Sequence, residues 1–325
     1  MREDEFELPT ARRRVQAVRA ERRRRLFVAA LGAGMAAFVL GAVVGGSSED
    51  GDDTAATEET SGPIELPRGG RSLLPEYRLV GFYGAPQDEA LGALGIGPPE
   101  EAADRLAEQA EAYERGGRKV MPVFELLATI ADATPGEDGM YRSRQPHSVI
   151  REYLAEARRS KGILLLDIQP GRADFADEVR RLERYLDEPD VGLALDPEWH
   201  VGPDEIPGEV IGSVTATEVN GIADSLSATV EELGLPEKLL VIHQFTDDMI
   251  TSKALLEEHD GLAMVLNVDG FGDAPNKIAK YDELHPRRRS GFFSGFKLFY
   301  LEDYGLMAPA DVLGLKPAPD LIVYE

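Results

Sequence analysis

Residues 191–200 read VGLALDPEWH, a short apolar run that ends in Asp196, Glu198, Trp199 and His200. So brief a run cannot form a useful helix, and it reads as a strand buried on both faces. Its end presents two acids, a histidine and the only tryptophan of the chain. In parallel α/β folds the carboxyl ends of strands are where ligands bind.

Seven further runs of the same kind flank it: 78–83 (RLVGFY), 119–124 (KVMPVF), 162–168 (GILLLDI), 238–243 (KLLVIH), 262–268 (LAMVLNV), 295–300 (GFKLFY) and 320–324 (DLIVY). Helix signals lie between them. Pro98-Pro99-Glu100-Glu101 opens a run that places Leu106, Ala110 and Tyr113 on one face, a usual helix start. Similar segments fall near 147–160, 173–187, 215–233, 247–258, 274–284 and 303–313. Strands that alternate with helices imply right-handed crossovers and a parallel sheet. Eight such units in about 250 residues predict a (β/α)8 TIM barrel over residues 76–325. A doubly wound open sheet is the alternative, but no Gly-x-Gly-x-x-Gly turn or P-loop follows the first strand. With neither motif present, no cofactor is expected.

The amino-terminal quarter is different. Residues 1–25 are polar and arginine-rich, and residues 26–46 (LFVAALGAGMAAFVLGAVVGG) carry no charge. As a helix the latter would span about 31 Å, enough for a bilayer core. Arginines before it and Ser-Ser-Glu-Asp after it orient a signal anchor with residues 1–25 in the cytoplasm and the rest outside. A cleaved signal peptide is the competing reading, but the exit offers no clear Ala-x-Ala site. Residues 47–75 are acidic and rich in Gly and Pro, and are expected to be a flexible tether reaching roughly 30 Å. The expected location is therefore the cell membrane, single-pass, with an extracellular barrel.

The net charge is −24. An acidic body argues against a nucleic-acid partner. Zero cysteines exclude a disulfide framework and thiolate zinc sites.

In a barrel, the strand ends share one mouth. In order they supply Tyr83, Glu125, Asp167 with Gln169, then Asp196, Glu198, Trp199 and His200. His243 and Gln244, Asn267 and Asp269, and Tyr300 follow. Acids, amides and aromatic faces suit a polyhydroxylated ligand. Asp196 and Glu198 are two apart, so an extended backbone points both the same way, about 6.6 Å apart. Neighbouring carboxyls can divide into a protonated acid and an anion, as glycoside hydrolysis requires. Asp167 ends a very apolar strand and needs a partner, with Arg142 and Arg172 the candidates.

Asp196-x-Glu198 at the fourth strand resembles the tail of the strand-4 motif of family-18 chitinases and, more loosely, family-25 lysozymes. That resemblance implies Glu198 as acid and Asp196 as the group steadying a substrate acetamide. Val191 and Ala194 stand where that family has further aspartates, and Asn267-Val268-Asp269-Gly270 replaces its Tyr-Asp pattern. The domain also resembles exported bacterial proteins with glycosidase-like barrels through GFYG (81–84), LLLDIQPGR (164–172) and LALDPEW (193–199). The reading is a membrane-anchored glycoside-hydrolase-like protein acting on cell-wall or other extracellular polysaccharide, with Glu198, Asp196 and Asp167 catalytic. A silent carbohydrate-binding or envelope-scaffold barrel is the second reading. A metal-dependent hydrolase drawing on Asp167, Asp196, Glu198, His200 and His243 is the third, although no ligand spacing marks a metal site.

Overall fold

The computed structural model describes residues 62–114, 117–286 and 291–325. The basic segment 1–25, the anchor 26–46 and the tether up to 61 lie outside the described residues. Among the described residues no helix is long and apolar enough to cross a membrane.

Residues Ile64–Glu325 form one compact unit. Its frame is eight strands: β1 (Tyr77–Gly84), β2 (Lys119–Ala131), β3 (Ile163–Ile168), β4 (Val191–Leu195), β5 (Lys238–Gln244), β6 (Leu262–Val268), β7 (Phe293–Leu298) and β8 (Leu321–Tyr324). Each pairs in parallel with its neighbours in chain order. β8 returns to β1, Leu79 opposite Leu321, and closes the cylinder. This is the expected eight-stranded barrel. The far end of β2 also takes a short antiparallel partner, Arg142–Arg144.

The helices are α1 (Pro99–Glu111), α2 (His147–Arg159), α3 (Phe175–Leu186), α4 (Ala216–Leu233), α5 (Ala274–Leu284) and α6 (Pro309–Leu313). α1 starts with proline in its first turn, where no amide is missed. α4 starts with a capping box between Thr215 and Glu218, which satisfies two otherwise orphaned amides.

Two expected helices are not formed as read. Residues 247–258 make two short 3-10 turns around Ile250–Thr251, which pairs with Val214–Thr215 as a small parallel ribbon. Burying Met249 of the first turn and Ile250 of the ribbon overrides local helix propensity. In 303–313 the helix is only α6, because Gly305 takes a positive φ of 82° and Pro309 fixes the start.

Side chains alternate across the strands and build two cores. Outward residues such as Val80, Phe124, Leu166 and Ile242 pack beneath the helices. Inward residues such as Leu79, Val123, Leu165 and Val241 fill the bore.

Residues 64–75 belong to this second core, which corrects the expectation of a tether up to 75. Leu66, Leu73 and Leu74 are buried at the amino-terminal end of the bore. Arg71 donates to the carbonyls of Ile64, Gly234 and Leu235, and Arg68 to those of Val120, Ser160 and Lys161. Three leucines with an apolar cavity to fill outweigh the glycine and proline content of the stretch.

Candidate active site

Inward alternation carries on to the carboxyl end of the bore, where the chemistry changes. Two residues beyond Val123, Leu165 and Val241, the same faces present Glu125, Asp167 and His243, all fully buried. β6 adds Asn267 and β7 adds Lys297, likewise buried. Only glycine fits beside Asn267, because a Cβ at Gly295 would lie 2.2 Å from Asn267 Oδ1. The hydrogen-bond ladder continues past the strand ends and fixes the next residues. Asp196 N–H donates to the Ile168 carbonyl (3.1 Å), Gln169 N–H to Thr129 (3.0 Å) and Asp269 N–H to Gln244 (2.7 Å).

His243 is the hub. Its Nδ1 lies 3.0 Å from Asp269 Oδ2, and its Nε2 lies 2.8 Å from Glu125 Oε1. Asn267 Nδ2 donates to Asp269 Oδ1 at 2.6 Å, holding that carboxylate toward the ring. Burial alone would strip the imidazole of its charge, but Asp269 and Glu125 outweigh it and raise its proton affinity well above the usual. The same partnership works on Asp269: burial opposes its charge, and His243 and Lys297 overcome that and lower its pKa. Lys297 Nζ lies 2.9 Å from Glu325 Oε2 and 3.6 Å from Asp269 Oδ2, over the Tyr83 ring at 3.4 Å from its centroid. Such a face stabilises a buried ammonium.

Asp167 stands at the edge of this pairing, its Oδ2 3.4 Å from His243 Nε2 with no hydrogen bond to either oxygen. Arg142 bonds to Glu178 and Asp138, and Arg172 stacks on Tyr141, so neither expected arginine reaches it. Burial pushes its carboxyl well above the ordinary range.

Asp196 sits one inward position beyond Ala194, which is in register with Asp167 on the adjacent strand. Gln169 Nε2 donates to Tyr83 Oη (2.8 Å) and reaches Asp196 Oδ2 (3.4 Å), while Ala131 N–H donates to its Oε1 (3.1 Å). Burial lifts the Asp196 carboxyl to about 7; the His243 charge restrains the rise and the Glu198 charge adds to it.

The chain leaves extended geometry after Asp196, and Pro197–Trp199 form a 3-10 turn. The period-two spacing expected of Asp196 and Glu198 therefore does not hold. Proline at the second position of Asp-Pro-Glu favours such a turn. Glu198 and Trp199 lie half-buried in it, close enough for the Glu198 charge to act on Asp196.

Three expected mouth residues are elsewhere. Gln244 faces outward, donates to the Leu284 carbonyl and accepts from Lys253. Tyr300 stacks on Tyr324 (5.2 Å) and donates to Gln109 of α1, outside the bore. His200 packs edge-on against Phe175, with its Nδ1 at 2.8 Å from the Ser213 carbonyl oxygen, and pins the loop after β4. The structure thus brings together Tyr83, Glu125, Asp167, Gln169, Asp196, His243, Asn267 and Asp269. Lys297 and Glu325 were not anticipated. An inward lysine in the apolar run GFKLFY was the available signal.

No protein-family model matches the chain, and no curated protein does. Among solved structures, a class V chitinase from Nicotiana tobaccum is similar at 14% identity over 69% of this chain and 67% of that one, with a TM-score of 0.37. The barrel assignment rests on the strand pairing itself.

Proposed function

We propose that the mouth of this barrel cleaves glycosidic bonds in cell-wall or other extracellular polysaccharide, by carboxylate acid catalysis, in a protein held at the cell membrane by residues 26–46. One observation carries the reading. Asp196 is a buried carboxyl whose proton comes off near neutrality, and a second carboxylate, Glu198, stands close by in the half-exposed turn above it. A buried carboxyl with a raised pKa, beside a second carboxyl that a substrate can reach, is an arrangement that suits acid-catalysed glycoside hydrolysis.

The roles follow from position. Asp196, held by Gln169, keeps its proton up to about pH 7 and is the source of the proton for the leaving oxygen. Glu198, the member a substrate reaches, hands that proton on, and water returns one to Asp196 after cleavage. Tyr83 and Gln169 line the same wall, and Trp199 offers an aromatic face at the rim.

The test is release of reducing ends from chitin and peptidoglycan oligomers by the full chain. Wild type should turn over, and Glu198→Gln should lose the activity while still binding oligosaccharide. Turnover by Glu198→Gln at the wild-type rate would sink the assignment.

A carbohydrate-binding barrel without turnover is the second reading, and one observation favours it. The charged groups deepest in the mouth are largely spent on one another: His243 on Glu125 and Asp269, Lys297 on Glu325. Oligosaccharide binding by wild type with no release of reducing ends would select it.

A further inference from the structure

Beneath the Asp196–Glu198 pair is a group of donors that the hydrolytic reading does not use. We propose that Glu125, Asp167 and His243 form a site for one divalent first-row transition-metal ion, Zn2+ or Mn2+.

Their candidate ligand atoms all lie within 4.8 Å of one another, and all three residues are buried. His243 Nε2 is 2.8 Å from Glu125 Oε1 and 3.4 Å from Asp167 Oδ2. Ligands about 2.1 Å from a common ion, at tetrahedral or octahedral angles, stand roughly 3.0–3.4 Å apart. The two spacings to His243 Nε2 are already close to that.

A second observation is independent of this spacing. Both oxygens of Asp167, and Oε2 of Glu125, are buried with no hydrogen-bond partner. A buried acceptor left unsatisfied costs about 1–3 kcal/mol, so three on two neighbouring strands are an anomaly for a finished interior. A cation held between the two carboxylates supplies the partner that they lack. Charge agrees: the two carboxylates bring two negative charges, which a divalent ion cancels. Binding exchanges the ion for the Nε2 proton of His243 and any proton on Asp167, and these leave to solvent.

The surroundings of His243 are those of a metal-ligating imidazole. Asp269 takes the Nδ1 side at 3.0 Å and is itself fixed by Asn267, which leaves Nε2 to face the two carboxylates. Metal-bound histidines usually have their second nitrogen held by a carboxylate in this way. A two-oxygen, one-nitrogen set suits Zn2+ and Mn2+ better than Ca2+, which takes six to eight oxygens. The site goes beyond the hydrolytic reading and stands or falls without substrate.

The full chain, stripped with EDTA and dialysed, is titrated separately with ZnCl2 and MnCl2 by isothermal calorimetry, with thermal melting in parallel. One ion per chain at micromolar Kd or tighter is expected for at least one metal, with a rise in Tm. Asp167→Asn and Glu125→Gln should each weaken binding at least tenfold. Asp269→Asn, which frees the ring without removing a ligand, should weaken it 10–100-fold. Asp138→Asn, at an exposed carboxylate, should bind as wild type. Circular dichroism checks folding, and should Asp167→Asn unfold, Glu125→Gln and Asp269→Asn decide. Failure of the wild type to bind either ion at 100 µM, or wild-type binding by the folded ligand variants, overturns the proposal. Oligosaccharide hydrolysis plays no part in either result.

Discussion

The two halves of the bore are built on the same inward alternation and are equally sealed from water, yet their contents are opposite. The amino-terminal half holds Leu79, Met121, Ile163, Leu239 and Leu321 under a plug of Leu66, Leu73 and Leu74. The carboxyl half holds Glu125, Asp167, His243, Asn267 and Lys297. Burial of apolar surface stabilises by about 25 cal/mol per Å2, whereas burial of charge costs several kcal/mol per ion before pairing offsets it. The lower half therefore carries the stability that lets the upper half keep a buried carboxyl without a hydrogen bond. A barrel needing only to be stable would continue leucine and valine to the rim.

Four measurements test that division. The largest effect is expected at the rim: Glu198→Gln should lower kcat on oligosaccharide by about 10²–10⁴-fold, the usual contribution of a general acid, with Tm unchanged within a degree or two. Next is the lower bore. Leu165→Ala, at a completely buried side chain, should cost about 2–5 kcal/mol in denaturant unfolding and leave KM alone. Loss of catalysis at constant stability in that variant would contradict the division.

The third effect depends on pH. Folded Asp196 holds its proton up to about 7, whereas the unfolded chain releases it near 3.8. Between these values folding takes up a proton, so the stability from this group falls as pH rises and the full penalty applies above 7. Asp196→Asn has no such penalty. In EDTA-treated protein the variant should gain steadily on wild type from pH 4 to pH 8. A constant difference across that range would show that the carboxyl is not held protonated. The smallest effect is at Tyr300, outside the bore. Tyr300→Phe loses one hydrogen bond to Gln109, should cost under about 1 kcal/mol, and should leave oligosaccharide KM unchanged.

All eight strands were legible because parallel barrel strands are buried on both faces and stand out as unbroken apolar runs. The polar residues ending β1 to β6 were legible for the same reason, each being an abrupt break in such a run. Which of them enter the bore was harder to read. Gln244 follows His243 directly, and one step along a strand reverses the face. Tyr300 lies two residues past the end of β7, where alternation no longer applies. Lys297 was hidden inside its strand, since a lysine flanked by Phe296 and Leu298 reads as an edge or a solvated face. Its real partners, Glu325 and Asp269, are far away in sequence or on another strand. Glu198 was placed by assuming extended backbone through Pro197, where the chain turns.

The strap formed by residues 64–74 has a kinetic consequence. Arg71 joins its carbonyl partners across 163 and 164 positions, and Arg68 across 52 to 93. Contacts so distant along the chain form slowly, because loop closure has to come first. A cylinder assembled without them has an open lower end and exposed leucine. Seating of the strap is thus a slow event in folding, and a refolding trace should show a slow phase that Arg71→Ala lengthens.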